Sequence, residues 1–268
     1  AARHNKKHVE KQDFLDAVDR IIGGLEKKNK IITPEEKKTI AFHEAGHASV
    51  SWLLQYANPL VKVTIVPRGQ SLGAAWYLPE ERSITTTEQL LDDMCATLGG
   101  RAAEQLIFNK ISTGALSDLE RVTKQAYAMI SIYGLNDRVG NISYYDSQGR
   151  DAFTKPYSED RAKVIDEEVS KLIESQYQRA LQLLNENKAQ LEQLAARLLS
   201  SEVIFKEDLE AIFGKRQWDP IIEEAVEEVQ EEAVEAEVEQ VATEDASSEA
   251  PGDEATPPAE TNPEENAS

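Results

Sequence analysis

His43, Glu44 and His47 form the pattern His-Glu-x-x-His in the run HEAGH over 43–47. On a helix, residues four apart share one face, so the two imidazoles can bind the same ion. Zinc favours neutral imidazole at about 2.0–2.1 Å. It lowers the pKa of a water that it holds toward about 7 and polarises a carbonyl. Glu44 follows the first histidine and projects beside the site, where it can take a proton from that water. The bland alternative is two histidines sharing an ordinary helix face, and a chain of this kind matches the pattern by chance at a rate on the order of 1%. Only four histidines are present, and two of them fall in the motif.

A catalytic zinc needs a third protein ligand and an open position. His4 and His8 are poor candidates, and the metzincin extension would place a histidine where Leu53 stands. The third ligand is therefore expected to be a carboxylate from another element, and Asp92, Asp93, Glu104, Asp118 and Glu120 are the candidates. Asp118 flanks the apolar stripe of Leu119, Val122, Ala126, Met129 and Tyr133. It can face a site at low cost, although an acidic residue in a first turn also complements the helix dipole.

The elements that position these residues are readable from caps and periodicity. Thr33-Pro34-Glu35-Glu36 is a capping box with proline at the first helical position, and it opens a helix expected over 34–57, closed by Asn58-Pro59. Residues 60–66 are β-branched and apolar and predict a strand, with 73–78 as its partner. A second helix is expected over 87–108. Gly99 and Gly100 inside it point to close packing against another backbone. Further helices are expected over 115–133, from Ser158 to a break at 185–187, from there through Leu198, and over 206–213. Residues 134–157 are expected to be loop with room for a short strand. Residues 9–22 carry a helical spacing that ends at Gly23-Gly24.

The net charge is -20, but residues 221–268 hold 17 Asp and Glu and no Lys or Arg. The other 220 residues are nearly balanced, so no basic footprint for nucleic acid exists. Residues 243–268 are rich in Pro, Glu, Ser and Thr and are expected to be disordered. Cys95 is the only cysteine, which excludes an intrachain disulfide and fits a reducing compartment. No apolar run approaches the roughly 20 residues that span a bilayer.

Several stretches together resemble the protease domain of the FtsH-type AAA metalloproteases. They are HEAGHA (43–48), VTIVPRG (63–69), YLPEE (77–81), LGGRAAEQLIF (98–108), STGALSDLERVT (112–123) and YGLNDRVG (133–140). The resemblance covers about residues 20–215. It implies zinc held by His43, His47 and Asp118, with Glu44 as general base. It also implies a homo-hexamer acting on unfolded proteins, anchored to a membrane by segments outside this chain. The domain would then lie at the cytoplasmic face of a bacterial inner membrane, or at a mitochondrial or chloroplast membrane. The strand 62–66 resembles the family's edge strand, so Val63, Thr64, Ile65 and Val66 are expected to bind substrate as an added strand.

The family's ATPase needs G-x-x-x-x-G-K-[ST] to cradle phosphates, and this chain has no such run. ATP and Mg2+ are accordingly expected only in an ATPase part absent here. The expected organisation is a remnant of the ATPase lid over 1–24, a linker over 25–33, a zinc metallopeptidase domain over 34–215 and an acidic tail over 216–268. The fold class is mostly α: an HExxH zinc-peptidase helical domain with a small β element, a C-terminal helical bundle and a disordered acidic tail. Two rival readings stand beside it: a stand-alone zinc peptidase acting on small peptides, and a non-enzymatic zinc-stabilised assembly module.

Overall fold

The computed structural model describes residue 8 and residues 32–67, 72–77, 83–145 and 156–218. The expected helix over 9–22, nearly all of the expected lid remnant, most of the linker, the turn at Gly69 and the expected acidic tail from 219 onward, with the disorder expected over 243–268, lie outside the described residues.

Helix α1 (Pro34–Leu53) starts as its sequence dictates. The Thr33 hydroxyl accepts from Glu36 N at 3.2 Å, and the Glu36 carboxylate accepts from Thr33 N at 3.0 Å. The helix stops at Leu53 rather than continuing to 57. Beyond that end the Arg216 guanidinium donates to the carbonyls of Leu54 at 2.9 Å and Ala57 at 2.6 Å. The C-cap carbonyl and one from the loop that follows are thus satisfied by a buried cation that also suits the negative pole of the dipole. The packed structure therefore runs past residue 215. Trp52 Nε1 donates to Gly214 O at 3.2 Å and secures the same segment. Every residue of α1 from Ile40 to Trp52 is buried, which marks it as the central helix.

Helix α2 (Thr87–Phe108) is capped by Thr86, whose hydroxyl accepts from Gln89 N. It ends at Asn109 in the left-handed conformation. Helices α1 and α2 meet backbone to backbone: a Cβ on Gly99 would lie 2.7 Å from Gly46 O. Helix α3 (Leu116–Ser131) follows a 3-10 turn over Thr113–Ala115. Helices α4 (Glu159–Glu186) and α5 (Lys188–Ser201) are separated at Asn187, near the expected break, and α6 (Lys206–Phe213) closes the described chain. One apolar core gathers α1, α2, the C-terminal half of α4, α5, α6 and the sheet. A second, built on Met94, Leu98, Val122, Met129 and Ile165, joins α2, α3 and α4. Helix α2 serves both, which fixes α3 relative to α1.

The strands are β1 (Leu60–Thr64), β2 (Ala74–Tyr77) and β3 (Val203–Phe205). They form one antiparallel sheet in the order β2-β1-β3. Val63 is opposite both Ala75 and Ile204. This corrects the expectation that the strand of Val63, Thr64, Ile65 and Val66 is an edge. Strand β1 is central, and Val63 and Thr64 are paired on both sides. Ile65 N is taken by Glu202 O at 2.9 Å, and Val66 N by the Thr64 hydroxyl at 3.1 Å. The third strand responsible was not foreseen. The fold class is otherwise as expected: mostly helical with a small β element.

Candidate metal centre

His43 and His47 project from one face of α1, and the first turn of α3 brings Asp118 to them. His43 Nε2 and His47 Nε2 are 3.0 Å apart. Asp118 Oδ2 lies 3.2 Å from the first and 3.5 Å from the second. Ligands bound tetrahedrally at about 2.0–2.1 Å are separated by about 3.3 Å, so the three donors match three corners of a zinc site. No other cluster of three or more potential ligands with this geometry exists among the described residues.

The outer contacts decide which lone pairs face inward. His47 Nδ1 bonds Ala96 O at 3.0 Å. A carbonyl only accepts, so this nitrogen carries the hydrogen and leaves Nε2 as an acceptor. His43 Nδ1 donates to Glu104 Oε1 at 2.7 Å, and Glu104 Oε2 accepts from Ser112 N at 2.7 Å. Burial opposes ionisation of Glu104, but the hydrogen bonds from His43 and Ser112 outweigh it and hold its carboxyl below the usual range. Two imidazole lone pairs and a carboxylate therefore converge on one point, an arrangement that calls for a cation. Without metal a proton answers the same demand. Burial lowers the pKa of His43, but its bonds to Asp118 and Glu104 and the charge of Glu44 carry it up to about 10. Asp118 moves the opposite way: burial raises its pKa, but hydrogen bonds from His43 and His47 bring it far below the ordinary value.

Two further features complete the cradle. A Cβ on Gly100 would stand 2.5 Å from His47 Nε2 and 2.6 Å from His43 Nε2. Gly99 thus serves the backbone contact expected of the pair, whereas Gly100 leaves room for the imidazoles. Glu44 is buried on the same helix. Burial raises its pKa, the two histidines oppose that shift and Asp118 reinforces it.

The other candidate carboxylates are engaged elsewhere. Asp92 is buried, pairs with Arg179 at 2.7 Å and accepts from Tyr56 N at 2.9 Å. Asp93 holds Arg121 through both oxygens, and Glu120 pairs with Lys124 on the surface. Glu104 reaches His43 on the side away from the other ligands, an orienting role that the sequence reading did not assign. Such carboxylate–histidine contacts fix ring orientation and raise ligand basicity. Cys95 is buried, and burial pushes its thiol up to about 12, so it is not a reactive nucleophile.

Strand β2 runs along α1. Gly73, just before it, faces the Glu44 side chain, and at its other end Tyr77 OH accepts from Ser51 Oγ at 3.1 Å. Its outer edge is unpaired among the described residues. No described helix is long and apolar enough to cross a membrane.

Comparison with known proteins agrees with this geometry. An ATP-dependent zinc metalloprotease FtsH of Parabacteroides distasonis is 67% identical over 219 residues, covering 81% of this chain and 32% of that protein. A protein of the same name from Rhodothermus marinus is 54% identical, with 81% and 32% covered. The mouse mitochondrial inner membrane m-AAA protease component AFG3L2 is 50% identical, with 81% and 27% covered. The chain thus spans about a third of the length of these relatives. Residues 30–212 match the model of peptidase family M41, and the chain belongs to that family.

Proposed function

We propose that this chain is a zinc endopeptidase domain in which His43, His47 and Asp118 hold the metal and Glu44 is the general base. The observation that carries this reading is the convergence of three acceptors at 3.0–3.5 Å spacing, the two imidazoles among them braced from outside. Bound zinc supplies a Lewis acid that brings the pKa of a coordinated water toward about 7 and polarises the scissile carbonyl. Glu44 accepts the proton of the attacking water. Its burial favours the neutral acid, so it is suited to take that proton and then pass it to the leaving amine as the C–N bond breaks. Glu104 and Ala96 O hold the two imidazoles in the tautomer that this work requires. The edge of β2, unpaired among the described residues and beside Glu44, supports an extended substrate adding there by main-chain bonds rather than at β1. Such bonds ignore side-chain identity, which fits unfolded protein substrates.

The larger assembly is inferred from the relatives. Their names carry ATP dependence and, for the mouse protein, the mitochondrial inner membrane. On this reading residues 1–24 end an ATPase lid, 25–33 link it to a peptidase domain beginning at 34, and an acidic tail follows. The whole protein is a membrane-anchored homo-hexamer that unfolds substrates with ATP and Mg2+ bound in its ATPase part. Casein degradation by the full-length protein, with and without ATP, tests that extension.

The experiment for the site is Glu44→Gln. Zinc content should stay at the wild-type level while peptide hydrolysis falls by about 10²–10⁴-fold, the usual worth of a positioned general base. Loss of zinc, or turnover retained with zinc bound, would remove Glu44 from the mechanism.

A further inference from the structure

The residue before β2 is a glycine whose absent side chain shapes the space of Glu44. A Cβ on Gly73 would stand 2.7 Å from Glu44 Oε1, 2.8 Å from Cγ and 3.0 Å from Cδ, and these are its three nearest neighbours. Ordinary contact begins near 3.4 Å. Between the two partners, the strand is the fixed one. Ala74, the next residue, is in register with Thr64 of the central strand, and Tyr77 is bonded to Ser51 of α1. Glu44 has rotatable bonds, so a side chain at position 73 would displace the carboxylate rather than the backbone.

We propose that Gly73 is a positioning residue for the hydrolytic reaction. The bare backbone at the head of β2 lets the Glu44 carboxylate lie against it, and that wall sets where the proton is taken. This deepens the reading of Glu44 as general base and rests on it. Gly73 is not in the left-handed region, so alanine can adopt its backbone conformation without strain. None of its three nearest atoms belongs to His43, His47 or Asp118. The consequence of a methyl group should therefore fall on proton transfer, sparing the fold and the metal. Restoring ordinary contact moves the carboxylate by about 0.7 Å, and misplacements near 1 Å cost on the order of 10²-fold in rate.

The test is Gly73→Ala in the zinc-loaded full-length protein, assayed on a short unstructured fluorogenic peptide beside wild type and Glu44→Gln. The expected result is kcat lower by about 10–100-fold, with KM within about twofold. Zinc occupancy and melting temperature should match wild type. A merely structural role would move the last two, and either change would overturn the proposal. Unchanged kcat would overturn it too, as would a raised KM with kcat intact, which would make Gly73 a substrate contact only. If Glu44→Gln loses turnover and Gly73→Ala keeps it, the positioning role alone fails. If Glu44→Gln keeps turnover, the base assignment fails and the positioning role falls with it.

Discussion

Gly100→Ala should empty the metal site of a chain that still folds. The added Cβ would lie 2.5 and 2.6 Å from the two Nε2 atoms, against an ordinary contact limit of 3.4 Å. Each ring nitrogen would have to retreat by about 0.8–0.9 Å, whereas ligand distances tolerate only about ±0.2 Å. Moving the helices apart to make room would give up the close packing of α1 on α2 at Gly46 and Gly99 one residue away. Disturbing a residue that merely orients a ligand costs about 10–100-fold in metal affinity, so displacing two ligands should cost more than about 100-fold. The fold loses much less. Overpacking costs about 1–3 kcal/mol, and replacing a mid-helix glycine by alanine returns about 1 kcal/mol. The net of about 0–2 kcal/mol corresponds to a melting temperature lower by no more than about 8 °C in a domain of this size. Zinc per chain is measured by elemental analysis after dialysis against a defined free zinc concentration. Melting temperature is recorded with and without added zinc, since only a protein that binds the ion is stabilised by it. A Gly100→Ala variant with wild-type zinc content and wild-type peptide hydrolysis would refute the geometry assigned to the site.

Asp118→Ala should lose zinc and activity together, whereas Asp92→Ala should keep zinc but lower the melting temperature, because it strands Arg179 and Tyr56 N; elemental analysis and thermal melts of both variants separate the two effects. In the chelated protein, stability should fall as pH rises from 6.5 toward 10. The His43 pKa is raised from 6.5 to about 10, so its contribution is complete below 6.5 and is lost as pH passes through the folded value. Ionisation of buried Glu44 acts in the same direction. Melting curves across that range in chelator and in zinc check this, because metal on the histidine removes the titration.

What the sequence could and could not reveal follows the range of the forces involved. The capping boxes at Thr33 and Thr86 are closed by residues three positions away, so both helix starts were legible. The two histidines and Glu44 were legible for the same reason, since helical spacing alone places them. The third expected ligand was not legible from spacing, because five carboxylates were chemically equivalent until their partners were known; only the family resemblance singled out Asp118. Asp92 is removed by Arg179 of α4 and Asp93 by Arg121 of α3, contacts that only tertiary packing makes.

The same limit explains why β1 was expected at a sheet edge and points to what organises the site. A run such as 60–66 announces a strand but not its neighbours. The second neighbour of β1 is the three-residue β3, too short to show an alternation and contributed by the far end of the domain. Once β3 takes one side of β1, β2 has the edge that is unpaired among the described residues, and Gly73 just before β2 faces Glu44. A glycine pair in a helix likewise announces close approach without saying to what. Gly99 meets the backbone of α1 and Gly100 meets the imidazoles it carries. On the proposed reading, the metal ligands from α1, the base and the substrate edge are therefore all referred to one helix. Missing side chains at Gly73 and Gly100 set distances to Glu44 and the two imidazoles, so a methyl group added at either is expected to disable the chemistry while leaving the fold in place, whereas one at Gly99 would meet the backbone of α1.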